Sequence, residues 1–211
     1  MRVLLLGICL ALGLTALSVA RPLSPVGGHD LVYTAHADVD GDGQSDLVTL
    51  QRHPAAVGHI EVRLATGRSL AIRMRSDAPF VPGLTTSGNV NGVRGDELFV
   101  DMQHFPTSEV IGVFTYAGGR LRLARKLLAY SSDFPLRYGI TCGSAGSKHR
   151  VTQYQFQLHV NGGHWRWTRK VTNYAWKGAA LRVIARHHVR AIAGHPPPRQ
   201  VGVHCGQVPA K

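Results

Sequence analysis

Acidic side chains are missing from the last third of this chain. Residues 134–211 hold twelve Lys and Arg and no Asp or Glu, while residues 1–133 hold the other twelve basic residues and all twelve acids. That segment has no carboxylate with which to neutralise its own cations or to serve as a general acid or base. Cysteine is nearly as scarce, with three in 211 residues. This excludes a dense disulfide framework and Cys-based zinc clusters. Helical periodicity is essentially confined to the first 20 residues, and no low-complexity tract interrupts the chain. Gly-x-Ser-x-Gly, a phosphate loop and a convincing carboxylate pair are all absent, so no motif supports catalysis directly.

The opening segment "MRVLLLGICLALGLTALSVA" has one charge, Arg2, then an unbroken apolar run ending in Ser18 and Ala20 at signal-peptidase spacing. It is read as a helical signal peptide, residues 1–20, cleaved after Ala20. Val3 to Ala20 is also long enough to span a bilayer, so an uncleaved anchor is the alternative. Both place the rest of the chain outside the cytoplasm, secreted or associated with the cell envelope. Removal of the leader takes Cys9 with it and leaves Cys142 and Cys205, which are expected to pair. Closing so long a loop restricts the unfolded chain by roughly 4 kcal/mol in the entropy model. The rival is a nucleophilic cysteine with His149 or His204 as partner.

From residue 21 to 211 one β domain is expected. Apolar and polar residues alternate in "HIEVRLATGRSLAIRMRS", "EVIGVFTYAGGRLRLARK" and "RVTQYQFQLHV", with turns at Thr66-Gly67, Gly118-Gly119 and Asn161-Gly162. The stretch from Trp176 to Gly194 fits a strand better than a helix, because "ALRVIARHHV" also alternates. These strands repeat: an Asp/Asn- and Gly-rich loop, a short apolar strand, then a hairpin, with a period of 51 residues from Asp38 to Asn89. The units are set at about 30–80, 81–130 and 131–194, the third without an acidic loop, followed by an extended tail at 195–211. Such periods belong to blade-like or stacked antiparallel β units.

The loop "DVDGDGQSD" supplies the chemistry. Carboxylates of Asp38, Asp40 and Asp42, the carbonyl of Gln44 and the carboxylate of Asp46 stand at positions one, three, five, seven and nine. Oxygen donors so spaced can converge on one calcium ion. The flanks are strands and Thr49 occupies position twelve, which excludes an EF-hand. "DVDGDGQSDLV" resembles the calcium loop of FG-GAP/VCBS repeats, whose pattern is Asp-x-Asp-Gly-Asp-Gly-x-x-Asp before an apolar strand. "NVNGVRGDELF" is a degraded copy in which Asn89, Asn91 and Glu97 take three acidic positions and Val93 and Arg94 replace the central Asp and Gly. That copy is expected to bind calcium poorly. The resemblance implies an extracellular binding or scaffolding role and no reaction. Three units are too few for a closed ring, so an open, partial propeller or compact β assembly is expected.

"RGD" at Arg94 to Asp96 falls inside the degraded loop and is not read as an integrin ligand. The histidines show no metal-ligand spacing. The acid-free segment holds all three tryptophans, and Arg166, Arg169, Lys170 and Lys177 are interleaved with Trp165, Trp167 and Trp176. This pattern suits an anionic polymer, an envelope glycan, phosphate polymer or extracellular DNA, held by charge and ring stacking. A solvated basic surface is the plainer reading. The competing function is a small extracellular hydrolase acting on a polyanion.

Overall fold

The computed structural model describes residues 31–53, 57–75, 83–104, 108–131, 135–145, 148–192, 196 and 200–206. The leader read at 1–20 and most of the tail read at 195–211 lie outside them. Among the described residues there is no α-helix, and none long and apolar enough to cross a membrane. The expected mostly β, antiparallel architecture is present.

Three sheets follow one another along the chain. The first contains β1 (Leu31–Ala37), β2 (Asp46–His53), β3 (Val57–Arg63) and β4 (Ser69–Arg75). The second contains β5 (Gly83–Gly88), β6 (Glu97–His104), β7 (Ser108–Ala117) and β8 (Arg120–Ser131). The third contains β9 (Leu136–Ala145), β10 (Lys148–Asn161), β11 (His164–Lys177) and β12 (Ala180–Ile192). In each, sequential strands are antiparallel neighbours, and β13 (Gly202–His204) joins the third sheet parallel to β9. Among the described residues no sheet closes on itself. The segment around Leu181 to Val189 is strand, as its alternation requires.

Burial explains the sequence pattern of each sheet. In the first, alternate residues such as Val48, Leu50, Ile60 and Val62 are buried against Leu98, Val100 and Phe114 of the second. Their neighbours Thr34, Thr49 and Glu61 stand opposite one another on the other face, which is polar. The second sheet also packs its reverse side, through Phe99, Ile111 and Val113, onto Val151, Tyr174 and Leu181 of the third. Covered on both faces, it tolerates no alternation: Glu97 to Val100 and Ile111 to Thr115 are buried without a break.

The far face of the third sheet is closed by the chain itself. Phe156, Leu158 and Trp167 are buried there, with Val201 packed on them. Gly139 permits the approach, since a Cβ at that position would strike the Gln200 carbonyl. The chain then runs as β13 into the Cys142–Cys205 disulfide, with an S–S distance of 2.08 Å. Thr86 donates to the Cys205 carbonyl at 2.6 Å, tying this end to the second sheet. The pairing expected from the cysteine count is therefore present, and Cys205 is buried. One hairpin differs by a residue: the turn between β10 and β11 is Gly162-Gly163, both at positive φ (56° and 80°), rather than Asn161-Gly162. Both central residues of a tight I′ turn need positive φ, which two glycines supply most easily.

Candidate functional site

The first two sheets share one device, a loop of eight residues between their first and second strands, 38–45 and 89–96. In both loops the fourth residue is a glycine at φ +77°, Gly41 and Gly92. In both, the ninth-position carboxylate is buried and holds the N–H of the second-position residue. Val39 N–H donates to Asp46 at 2.8 Å, and Val90 N–H to Glu97 at 2.9 Å. Asp46 also receives Ala65 N–H at 2.9 Å, so its two oxygens clamp the loop to the end of β3.

The loops are packed in series. A Cβ on Gly41 would lie 2.5 Å from the Arg94 carbonyl carbon, so the first loop sits directly on the second. Gly95, at φ +107°, leaves only 2.6 Å between its own Cβ position and the Val39 carbonyl. A reciprocal pair joins them: Asp96 N–H donates to the Asp38 carbonyl at 2.6 Å, and Asp38 N–H to the Asp96 carboxylate at 3.3 Å. The Arg94-Gly95-Asp96 tripeptide is thus half of an internal joint. Gly92 repeats the arrangement one step on, abutting the ring of His149 on β10. His149 takes the place where a third loop would pack.

Within the first loop the carboxylates of Asp38, Asp40 and Asp42 can each bring an oxygen within 4.8 Å of the others. Asp38 accepts from Gly41 N–H at 2.9 Å and Gly43 N–H at 3.0 Å, and Asp42 from Gln44 N–H at 2.7 Å. Burial, with the neighbouring Asp42, Asp46 and Asp38 charges adding to it, pushes the Asp40 carboxyl above its usual value. Asp96 is also pushed up, by burial and by Asp38. Asp46 stands apart from the three, fully buried. Each of its oxygens has one lone pair engaged by a backbone N–H and a second to offer. An all-oxygen, carboxylate-rich set of this kind fits a hard divalent cation such as calcium. Asp38, Asp40 and Asp42 would hold it, with Asp46 and the Gln44 carbonyl completing the expected shell. Bound there, calcium would supply the positive charge that four neighbouring carboxylates lack.

The basic residues of the third sheet are distributed differently from the single surface that their interleaving suggests. A strand sends successive side chains to opposite faces. Trp165 and Trp167 therefore line one cavity, of about 280 Å³, with Leu136, Leu158 and Val201. Arg166 lines another, of about 590 Å³, on the reverse of the sheet. Trp167 is buried in the core, and Trp176 is half-buried with its indole N–H on the Val90 carbonyl at 3.0 Å. Arg169 donates to Gln200 at 3.0 Å. Trp165, Arg166 and Lys177 are exposed and Lys170 is half-exposed. Sequence reading missed His159, His164 and Arg190, which share the Arg166 cavity. The β10–β11 register, centred on the Gly162-Gly163 turn, could have brought the two histidines to Arg166, but a register slip in β12 hides Arg190. Compared with models of known families, with curated proteins and with solved structures, the chain matches none.

Proposed function

We propose that this chain is a calcium-stabilised β-repeat binding or scaffold module of the FG-GAP/VCBS type, exported from the cytoplasm, whose acid-free third sheet contacts an anionic polymer. The observation that carries the reading is the repeated loop. Two successive sheets place it between the same strands and close it by the same buried carboxylate, and in the first it gathers three further carboxylates. Three sheets in series, each an antiparallel meander packed on the next, suit a short stack of blade-like units, an open and partial propeller. The polar outer face of the first sheet and the strap over the third suit ends that need no further unit.

The polymer-binding half rests on charge. Residues 134–211 carry twelve cationic side chains and no anionic one. The hydrolase reading lacks comparable support, because no described residue lining these two cavities of the third sheet is a carboxylate. Thermal unfolding in 10 mM calcium and in EDTA tests the first half. A rise with calcium that Asp38→Ala or Asp42→Ala abolishes is expected, and identical curves for the unaltered protein would overturn it. Retention on heparin that falls steeply with salt tests the second. Elution no later than an unrelated protein of equal net charge would overturn that.

A further inference from the structure

The β10–β11 hairpin outruns the sheet that covers it. The second sheet covers the third around Val151, Tyr174 and Leu181, and Gln153 bonds the Leu128 carbonyl at 2.9 Å. Beyond that point both strands continue to the Gly162-Gly163 turn, with residues 159–166 exposed. On the reverse side from the tryptophans lies the 590 Å³ cavity, lined by His159, Asn161, His164, Arg166, Thr168 and Arg190.

Two features bring these groups together. In the antiparallel register His159 stands directly opposite Arg166, so ring and guanidinium share a face. The third member comes from an irregularity in β12. Trp167 pairs with Ile192 and Arg169 with Val189, so Thr168 alone opposes Arg190 and Ala191. A bulge of this kind re-aims a side chain, and here it turns Arg190 into the cavity. The Thr168 hydroxyl donates to the Gln157 carbonyl at 3.4 Å and lies 3.1 Å from His159 Nε2, which orients that ring.

Among the described residues lining the cavity none is a carboxylate, and Arg166, Arg190, His164 and Asn161 carry hydrogen-bond donors. Among the described residues neither Arg166 nor Arg190 has a hydrogen-bond or ion-pair partner. Guanidinium groups drawn into one concavity without a counter-charge are mutually repulsive, and an anion between them relieves this. The donors approach from three strands around an open bowl. A planar carboxylate presents two oxygens to them, whereas a tetrahedral oxyanion presents three in a splayed set. The volume leaves room for the sugar or polyol that carries it.

We propose that this cavity is an oxyanion site for phosphate or sulfate ester groups of a polymer, with Arg166 and Arg190 as its charged clamp, His164 and Asn161 as further donors, and the His159–Thr168 pair forming its wall. This rests on the polyanion-binding reading above and assigns it to one place. It also gives the two faces of the hairpin different work, since on the other side the buried Trp167 packs with Val201.

The test uses the full protein with inorganic polyphosphate, heparin and polyglutamate as probes at one ionic strength, with affinity measured by fluorescence anisotropy. Polyphosphate and heparin should bind about tenfold or more tighter than polyglutamate. The double variant Arg166→Gln/Arg190→Gln should lose about tenfold or more for both, since charge-assisted bonds are removed. Arg63→Gln/Arg73→Gln, an equal charge change at exposed positions of the first sheet, should lose less than about threefold. Amide shifts of His159 and Thr168 on titration with inorganic phosphate give a second readout that needs no variant. Equal affinity for polyglutamate, equal losses in the two double variants, or no shift at those amides overturns the oxyanion site while leaving general polyanion binding standing. Absence of binding to all three probes overturns both. Capture by phosphatidylglycerol vesicles that Trp165→Ala abolishes and the arginine variant does not would also overturn it, making the hairpin tip a membrane contact.

Discussion

The loops at 38–46 and 89–97 have the same backbone plan and opposite chemistry. In the first, the side chains at positions one, three and five are carboxylates, which only accept hydrogen bonds. In the second, position three is Asn91, whose amide donates to Glu97 Oε1 at 2.5 Å and reaches the Thr115 hydroxyl at 3.3 Å. Asn89 likewise donates to the Val93 carbonyl at 2.6 Å while accepting from Gly92 N–H. Glu97 collects Val90 N–H, Asn91 N–H, the Asn91 amide and the Thr115 hydroxyl. The second loop is therefore closed by internal donors in the region where the first gathers negative charge. A turn of this shape can be held by amides, as at 89–97, and we propose that the version at 38–46 is held by a cation.

Removal of the ninth-position carboxylates is the most damaging way to break that comparison. Glu97→Ala leaves two backbone N–H groups and an amide without acceptors in a buried place, and a loss of about 3–5 kcal/mol is expected. Asp46→Ala orphans two N–H groups and should cost somewhat less, about 2–4 kcal/mol. Urea unfolding of both variants measures the difference, and a negligible loss for Glu97→Ala would contradict the clamp.

The pH response separates the loops further. Burial pushes the Glu97 carboxyl from 4.5 up to about 7, against the pull of the Val90 and Asn91 N–H groups and the Thr115 hydroxyl. The folded state then holds this proton more tightly than the unfolded chain. Its contribution to stability is complete below pH 4.5 and is lost as pH rises through about 7, a change of up to about 3 kcal/mol. Unfolding free energies at pH 4.5, 6 and 8 should show this decline in the unaltered protein and a shallower one in Glu97→Gln. Parallel profiles would show that Glu97 titrates normally.

Glycines probe the joint between the loops. Ala at position 41 must adopt φ +77° and place its Cβ 2.5 Å from the Arg94 backbone, so a cost of about 2–4 kcal/mol is expected. Gly43 has φ +85° and nothing within 4 Å, and Gly43→Ala should cost only the backbone term, about 1–2 kcal/mol. Equal melting temperatures for the two variants would mean that the loops do not pack as described.

The smallest effect is the most specific. At 10 mM calcium and a dissociation constant near 10⁻³ M, metal binding should stabilise the protein by about 1.4 kcal/mol. Asp40→Asn, which copies the second loop's third position into the first, should remove that increment without lowering stability in EDTA. Asn91→Asp should instead destabilise the protein in EDTA, because it sets a carboxylate against Glu97. Retention of the full calcium increment by Asp40→Asn would detach this loop from the metal.

Much of the architecture could be read from residue order. Alternation located the hairpins, and two cysteines left one pairing. Alternation says less about partners. The unbroken burial of Glu97 to Val100 follows from two sheets covering one strand, which no local pattern states. The hairpin turn moved by one residue because Gly162-Gly163 meets the two-residue φ requirement better than Asn161-Gly162. The interleaved Arg and Trp residues looked like one surface in a linear reading, and strand pleating divides them between two faces.

The sequence by itself determined the local quantities: strand content, the position of the acidic loop, the charge asymmetry and the cysteine pair. These depend on neighbouring residues and on counting. Only the tertiary structure decided that Asp96 faces Asp38, that His149 fills the place of a third loop, that residue 201 covers Trp167, and that a bulge brings Arg190 to Arg166. Each depends on packing or register between segments distant in sequence. A shift of one residue there sends a side chain to the other side of the sheet.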